Sequence, residues 1–350
     1  MNRVAKSLGL VVMFAATVTA AGSRWTEEDF DDRPVAAFPI DLTDDLGRRS
    51  TVIGVPRRYQ FEEGDTLHDV ARHFGLGINE VQDAMPEVEV WLPPTGEARY
   101  FPTWWVLPES DYQGVIINVP EMRLYYFPTK QKGTRTVITY PVGLGRDEWQ
   151  TPVGRFKVSE KTVNPRWVIP DSILEERIRE KGRHERFIPG GHPENPLGRY
   201  RMRLSLPLFG IHGTNIPWGV GMKVSHGCIR LYPEDIARLY PIVPVGTPGE
   251  IVYQPVKIGS RQGRVYAEIH RSIYEEDFDY WGAARDLLRN RGWEEAVDWG
   301  ILTDAIERKS GVPVRISGGF GIEASPPPTG LFQAHTVEQG VLGEAPSRKD

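Results

Sequence analysis

Apolar residues recur along the chain in two rhythms, the three-to-four spacing of helices and the alternation of strands, and their order divides the chain into parts. Between residues 57 and 107, Tyr59 and Phe61 read as a short strand and Gly64-Asp65 as a turn. Thr66 and Asp69 then form the capping box of a helix, with Leu67, Val70, Ala71 and Phe74 on one face and Gly75 as its stop. Ile78, Val81 and Met85 mark a second helix that Pro86 ends, and residues 100–106 return as a strand. This predicts a small strand–helix–helix–strand (α+β) unit, marginal alone at such a size.

From residue 112 to 255 the pattern is mainly β. Strands are predicted over 115–119, 123–127, 137–142 and 155–158, separated by Gly and Pro turns. A charged insertion over 171–183 leads into a Pro/Gly-rich stretch over 189–198, and further strands end at Ile211 and near Cys228. Pro233 opens a short helix over 234–240. Residues 256–322 read as a helical extension, with helices over 277–289 and 293–309, and residues 323–350 as a disordered tail. The segment 22–56 carries many Asp and Arg residues and little periodicity, so it reads as a leader or an extended strand entering the first folded unit.

The first 21 residues read as a cleaved signal peptide: Arg3 and Lys6, an apolar run from Leu8 to Ala16, then small residues before the cut. Without a Cys near that cut, a lipid-anchored form is excluded. The net charge of −5 and the lack of a basic run argue against nucleic acid as a partner. The chain holds one cysteine, Cys228, so no internal disulfide is possible. A lone thiol in an exported protein is either a buried core residue or a working nucleophile.

The surroundings of Cys228 favour the second. Ile211-His212-Gly213-Thr214-Asn215 precedes Val224-Ser225-His226-Gly227-Cys228-Ile229-Arg230. A thiol attacks as thiolate and needs a base or cation nearby; His212, His226 and Arg230 are the candidates. Two strands can bring His212 beside Cys228. His226 and Cys228, two apart, share a face if they lie on a strand. Backbone N–H groups near Gly227 and Cys228 are candidates for an oxyanion hole. The pattern fits Cys/His acyl transfer; the alternatives are structural histidines, or a metal site from His212, His226 and Cys228, which lacks a fourth ligand nearby.

His212 followed by Ser225-His226-Gly227-Cys228 resembles the active site of the YkuD-type L,D-transpeptidases. Residues 141–145, 151–156 and 195–198 also match that family, whose likeness spans about 114–253. The resemblance implies a β-sandwich-like catalytic domain and an enzyme of peptidoglycan that needs no cofactor or metal. It implies Cys228 as nucleophile, His212 as base and acid, and the Gly213 carbonyl as the group orienting His212. Ser225, His226 and Gly227 would shape the oxyanion loop. Arg230, Trp218 and Asn215 would bind substrate, with Trp149 and Trp167 as further walls or as core. Arg230 stands where many relatives carry Asn, a form that resembles the periplasmic, Gram-negative subset. Gly64-Asp65-Thr66-Leu67, Val70-Ala71, Phe74-Gly75 and Ile78 resemble a LysM module, which implies glycan strands as a partner; Ala84-Met85-Pro86 departs from the usual Asn there.

The implied reaction takes the acyl group of a stem peptide, releases D-alanine and passes the acyl group to an amine, on another stem or on an outer-membrane lipoprotein. A hydrolase of the same site and a non-catalytic wall-binding protein are the competing readings. An activated thiol would also be acylated by carbapenem β-lactams.

Overall fold

A computed structural model describes residues 23–40, 50–128 and 135–317. The expected signal peptide over 1–21 and tail over 323–350 lie outside the described residues, as do the last residues of the extension. No helix among the described residues is long and apolar enough to cross a membrane.

One nine-stranded sheet organises the molecule, in the order Ala37–Ile40, Arg135–Pro141, Arg123–Phe127, Gly114–Asn118, Pro248–Val252, Gly154–Val163, Tyr200–Leu204, Gly210–His212 and Ile229–Arg230. The strands of the expected β domain are thus joined in one sheet. It curls back on itself, because Gly143, just past the strand Arg135–Pro141, pairs with Arg230 on the far edge strand. Alternation along the central strands splits their side chains between two cores. Val115, Ile117, Leu124 and Tyr126 face a core closed by Ile236 and Leu239 of the helix Pro233–Ile242. Ile116, Tyr125, Phe127 and Val137 face a second core shared with Leu67, Val70, Ile78 and Val81. Such two-sided burial explains why these strands read as nearly continuous apolar runs.

The N-terminal part runs Arg57–Gln60, the helices Leu67–His73 and Ile78–Ala84, and Ala98–Phe101, with the two strands antiparallel. The stretch expected as one strand over 100–106 is two: Trp104–Val106 leaves to pair with Val52–Gly54. The leader segment also has structure. Its strand Ala37–Ile40 forms one edge of the large sheet, and its short helix Glu27–Asp31 is capped by Thr26 and Asp29. Buried ion pairs seal this part to the catalytic sheet. Arg72 donates twice to Glu234 at 3.0 and 2.8 Å, Arg33 pairs with Asp235, and Arg123 donates to Glu80 at 2.9 and 2.6 Å.

The extension is not wholly helical. Val256–Arg261 and Arg264–Ile269 form a hairpin joined by Val314–Arg315, and the helices Tyr280–Asn290 and Trp299–Arg308 cover this three-stranded sheet. Its seam with the catalytic part is a buried charge cluster. Lys257 Nζ lies 2.8 Å from Glu121 and 2.7 Å from Glu268, and His270 Nε2 lies 2.7 Å from Glu268. Tyr125 donates to Glu121, and the Val106 N–H donates to Glu268.

Candidate active site

The site is built on the far edge of the large sheet. Gly210–His212 runs parallel to Ile229–Arg230, with Ile211 opposite Ile229 and His212 opposite Arg230. On its other side His212 stands opposite Arg201 of the antiparallel strand Tyr200–Leu204. Ile211 and Ile229 are fully buried in the core, so the alternate row Arg201–His212–Arg230 faces away from it. Cys228, one residue before the edge strand and two before Arg230, comes to this row.

Each member of the row is held differently. His212 is 2% exposed, and its Nδ1 donates to the Gly213 carbonyl at 2.7 Å, which fixes the tautomer and leaves Nε2 as the basic nitrogen. Burial, reinforced by Arg230, pushes its pKa down to about 3, so the imidazole rests neutral. The Cys228 thiol is half-buried; the loss of water pushes its ionisation up, against the pull of a backbone bond at Gly210 and of Arg201 and Arg230. Burial thus favours the neutral form of both the thiol and the imidazole. Arg230 and Arg201 have no acidic partner in ion-pair range among the described residues, and the buried Nε of each lacks a hydrogen-bond partner.

The turn before Cys228 is tied by Ser225. Its hydroxyl donates to the Cys228 carbonyl at 2.6 Å and accepts the Gly227 N–H at 3.0 Å. The Gly227 N–H is thus spent, and of the expected oxyanion pair the Cys228 N–H remains, with no partner among the described residues. Gly227 sits at φ +96°, and a Cβ there would come within 2.5 Å of the Phe209 ring, so the turn requires glycine.

That left-handed residue corrects the shared face expected for His226 and Cys228. Lys223–Ser225 pairs with Leu144–Gly145, whereas Ile229–Arg230 pairs with Gly210–His212, so no continuous strand joins the two side chains. His226 instead lies among Arg146, whose Nη2 donates to its Nε2 at 2.7 Å, Glu176 at 3.7 Å and the Trp149 ring at 5.4 Å. Glu176 comes from the insertion, which forms the helix Asp171–Lys181. Among the described residues His212, His226 and Cys228 do not gather as a set of metal ligands.

Asn215 and Trp218 lie exposed on the loop between the two site strands, Trp218 at 55%. This loop is braced by the N-terminal part: the Ile78 N–H donates to the Val220 carbonyl at 3.4 Å, and the backbone of Gly77 packs on Gly221. Trp149 is exposed beside His226, but Trp167 packs in the insertion's own small core with Ile169, Leu174 and Ile188. Asn195 is buried and donates to the Pro165 and Pro189 carbonyls, setting Gly198 against the Gly213 backbone. Sequence reasoning missed Arg201, Arg146 and Thr151, whose hydroxyl donates to the Gly227 carbonyl at 3.0 Å. Arg201 carried a usable signal, because alternation in Tyr200-Arg201-Met202 puts it opposite Met202's core face.

Comparison with known proteins adds the following. A model of the L,D-transpeptidase catalytic domain matches residues 112–258. The probable L,D-transpeptidase YbiS of Escherichia coli K12 is 34% identical over 278 residues, 77% of this chain and 89% of that protein. The probable L,D-transpeptidase ErfK/SrfK of Salmonella typhimurium is 35% identical over 280 residues, 77% of this chain and 89% of that protein. Among solved structures, an L,D-transpeptidase from Mycobacterium smegmatis is 16% identical, spans 63% of this chain and 99% of its own, and has a TM-score of 0.30.

Proposed function

The chain belongs to the L,D-transpeptidase family, and from that premise we propose that Cys228 is the nucleophile through which it remodels peptidoglycan. The observation that carries this reading is the Cys228 turn itself: a half-buried thiol whose N–H has no partner among the described residues, next to a row that holds a neutral, backbone-oriented imidazole.

The thiol attacks the amide carbonyl between the stem's diamino acid and its terminal D-alanine. Its proton passes to His212 Nε2, and the oxyanion forms at the Cys228 N–H. His212 then protonates the leaving amine, D-alanine departs, and a thioester remains. An acceptor amine attacks that thioester, His212 takes the amine's proton, and the thiol is restored. Arg230 and Arg201, cations without acidic partners among the described residues, hold a carboxylate of the stem. Trp218 and Asn215 border the approach. Ser225 keeps the turn in shape, and the Gly213 carbonyl orients the base.

The protein works in the periplasm, delivered by a signal peptide over residues 1–21. The N-terminal strand–helix–helix–strand part acts as a LysM-like module that follows glycan strands. The acceptor is a second stem's diamino acid or a lipoprotein lysine. Mass spectrometry of tetrapeptide-stem muropeptides incubated with wild type and Cys228→Ala tests the whole reading. Loss of D-alanine with a cross-linked or amine-exchanged product, from wild type alone, is expected. Trimmed stems alone would replace transfer by hydrolysis, and intact tetrapeptides with both proteins would leave a wall-binding role in its place.

A further inference from the structure

The Gly227–Cys228 peptide has its carbonyl bound and its N–H without a partner among the described residues, and what binds the carbonyl leads out of the catalytic domain. A trans peptide is planar, with C=O and N–H pointing in opposite directions. Whatever fixes the Gly227 carbonyl therefore aims the Cys228 N–H. Thr151 Oγ1 donates to that carbonyl at 3.0 Å. The same oxygen accepts the Gly145 N–H at 3.0 Å, which leaves its own proton for Gly227. The Gly145 carbonyl in turn accepts the Tyr274 hydroxyl at 2.6 Å, and the Thr151 N–H donates back to that hydroxyl at 3.4 Å.

Tyr274 lies beyond residues 112–258, the stretch matched by the catalytic-domain model. It is itself fixed in place. Its N–H donates to Tyr253 Oη at 2.9 Å, its ring stacks on Tyr253 at 6.3 Å, and Lys223 Nζ donates to the Ile273 carbonyl at 3.2 Å. Burial keeps its phenol protonated, so it remains a donor to Gly145.

We propose that Tyr274 is a positioning residue of the reaction: through Gly145 and Thr151 it sets the tilt of the Gly227–Cys228 peptide and so aims the oxyanion donor. The proposal rests on Cys228 being the acyl-transfer nucleophile. It gives the C-terminal extension a part in the chemistry without contact with substrate. An oxyanion donor acts only when it points at the place where charge develops, so a small change of tilt lowers turnover without weakening substrate binding.

Two reactions of the same thiol separate aim from reactivity. Release of D-alanine from a tetrapeptide-stem muropeptide needs the oxyanion donor; alkylation by iodoacetamide needs only the thiolate. Tyr274→Phe keeps the ring and removes the hydroxyl. It is expected to lower kcat for D-alanine release roughly ten-fold while KM, the alkylation rate and Tm stay at wild-type values. Thr151→Val removes the bond to Gly227 itself and lowers kcat further; Thr151→Ser, which keeps the hydroxyl, restores it. Wild-type kcat in Tyr274→Phe overturns the proposal. So does a fall in kcat matched by slower alkylation or a lower Tm, since that is the mark of a merely structural residue. Cys228→Ala run alongside keeps the two ideas apart: wild-type D-alanine release from it overturns the nucleophile reading, whatever Tyr274→Phe does.

Discussion

The strand that carries His212 and the turn that carries His226 bring the same side chain to one site and hold it in different ways. His212 is enclosed, its Nδ1 proton is committed to a backbone carbonyl one residue away, and burial keeps it neutral. His226 is half-buried and is held by side chains, Arg146 and Glu176, from two other segments. A backbone acceptor on a paired strand leaves one geometry open. Side-chain partners on a loop and an inserted helix can shift together. The difference suits a proton carrier in the first place and an adaptable wall in the second.

The largest expected effect lies in substitution of the two histidines. His212→Ala should lower D-alanine release about 10²–10⁴-fold, and His226→Ala only a few-fold. Equal losses in steady-state assays would break the comparison. Next come the arginines flanking His212. Arg230→Ala and Arg201→Ala should each raise KM about ten-fold, the scale of one charge-assisted hydrogen bond, with a smaller change in kcat. A pure kcat effect would remove them from substrate binding.

The pH dependence of the thiol follows. Because burial pushes Cys228 above its ordinary value of 9.0, thiolate is scarce at neutral pH. Iodoacetamide alkylation should therefore keep rising as pH passes 9.0, and a plateau near pH 7 would mean a resting ion pair instead. The smallest effect is on stability. His212 takes up a proton at 6.5 when unfolded but only near 3 when folded, so the unfolded state gains as pH falls between those values. Tm should drop over that window in wild type, less in His212→Gln. His226→Gln should follow wild type more closely, since its imidazole keeps more contact with water. Thermal melts at several pH values check the order.

Much of this site was legible because it is local. Ser225 to Cys228 form one turn, and the carbonyl that orients His212 belongs to the next residue. Two local errors came from single backbone facts. Gly227 breaks the alternation that would have put His226 beside Cys228. In the extension, Gln262 and Gly263 both take positive φ, the signature of a tight hairpin turn, between strands whose alternation at Val256 and Ile258 had been read as part of a helical region. The unread remainder is non-local. Thr151 meets Gly227 across 76 residues and Tyr274 meets Gly145 across 129, and no periodicity encodes such meetings.

The charge cluster around Lys257 also governs how this protein can be divided. A chain cut after the strand Pro248–Val252 keeps Glu121 in its buried position but loses the Lys257 ammonium that answers it. A buried carboxylate stripped of its partner destabilises a domain by several kcal/mol, about 3–5 in comparable cases. The opposite cut, before Arg123, strands Glu80 in the same manner. Exchange of parts with another chain must therefore carry both halves of each seam.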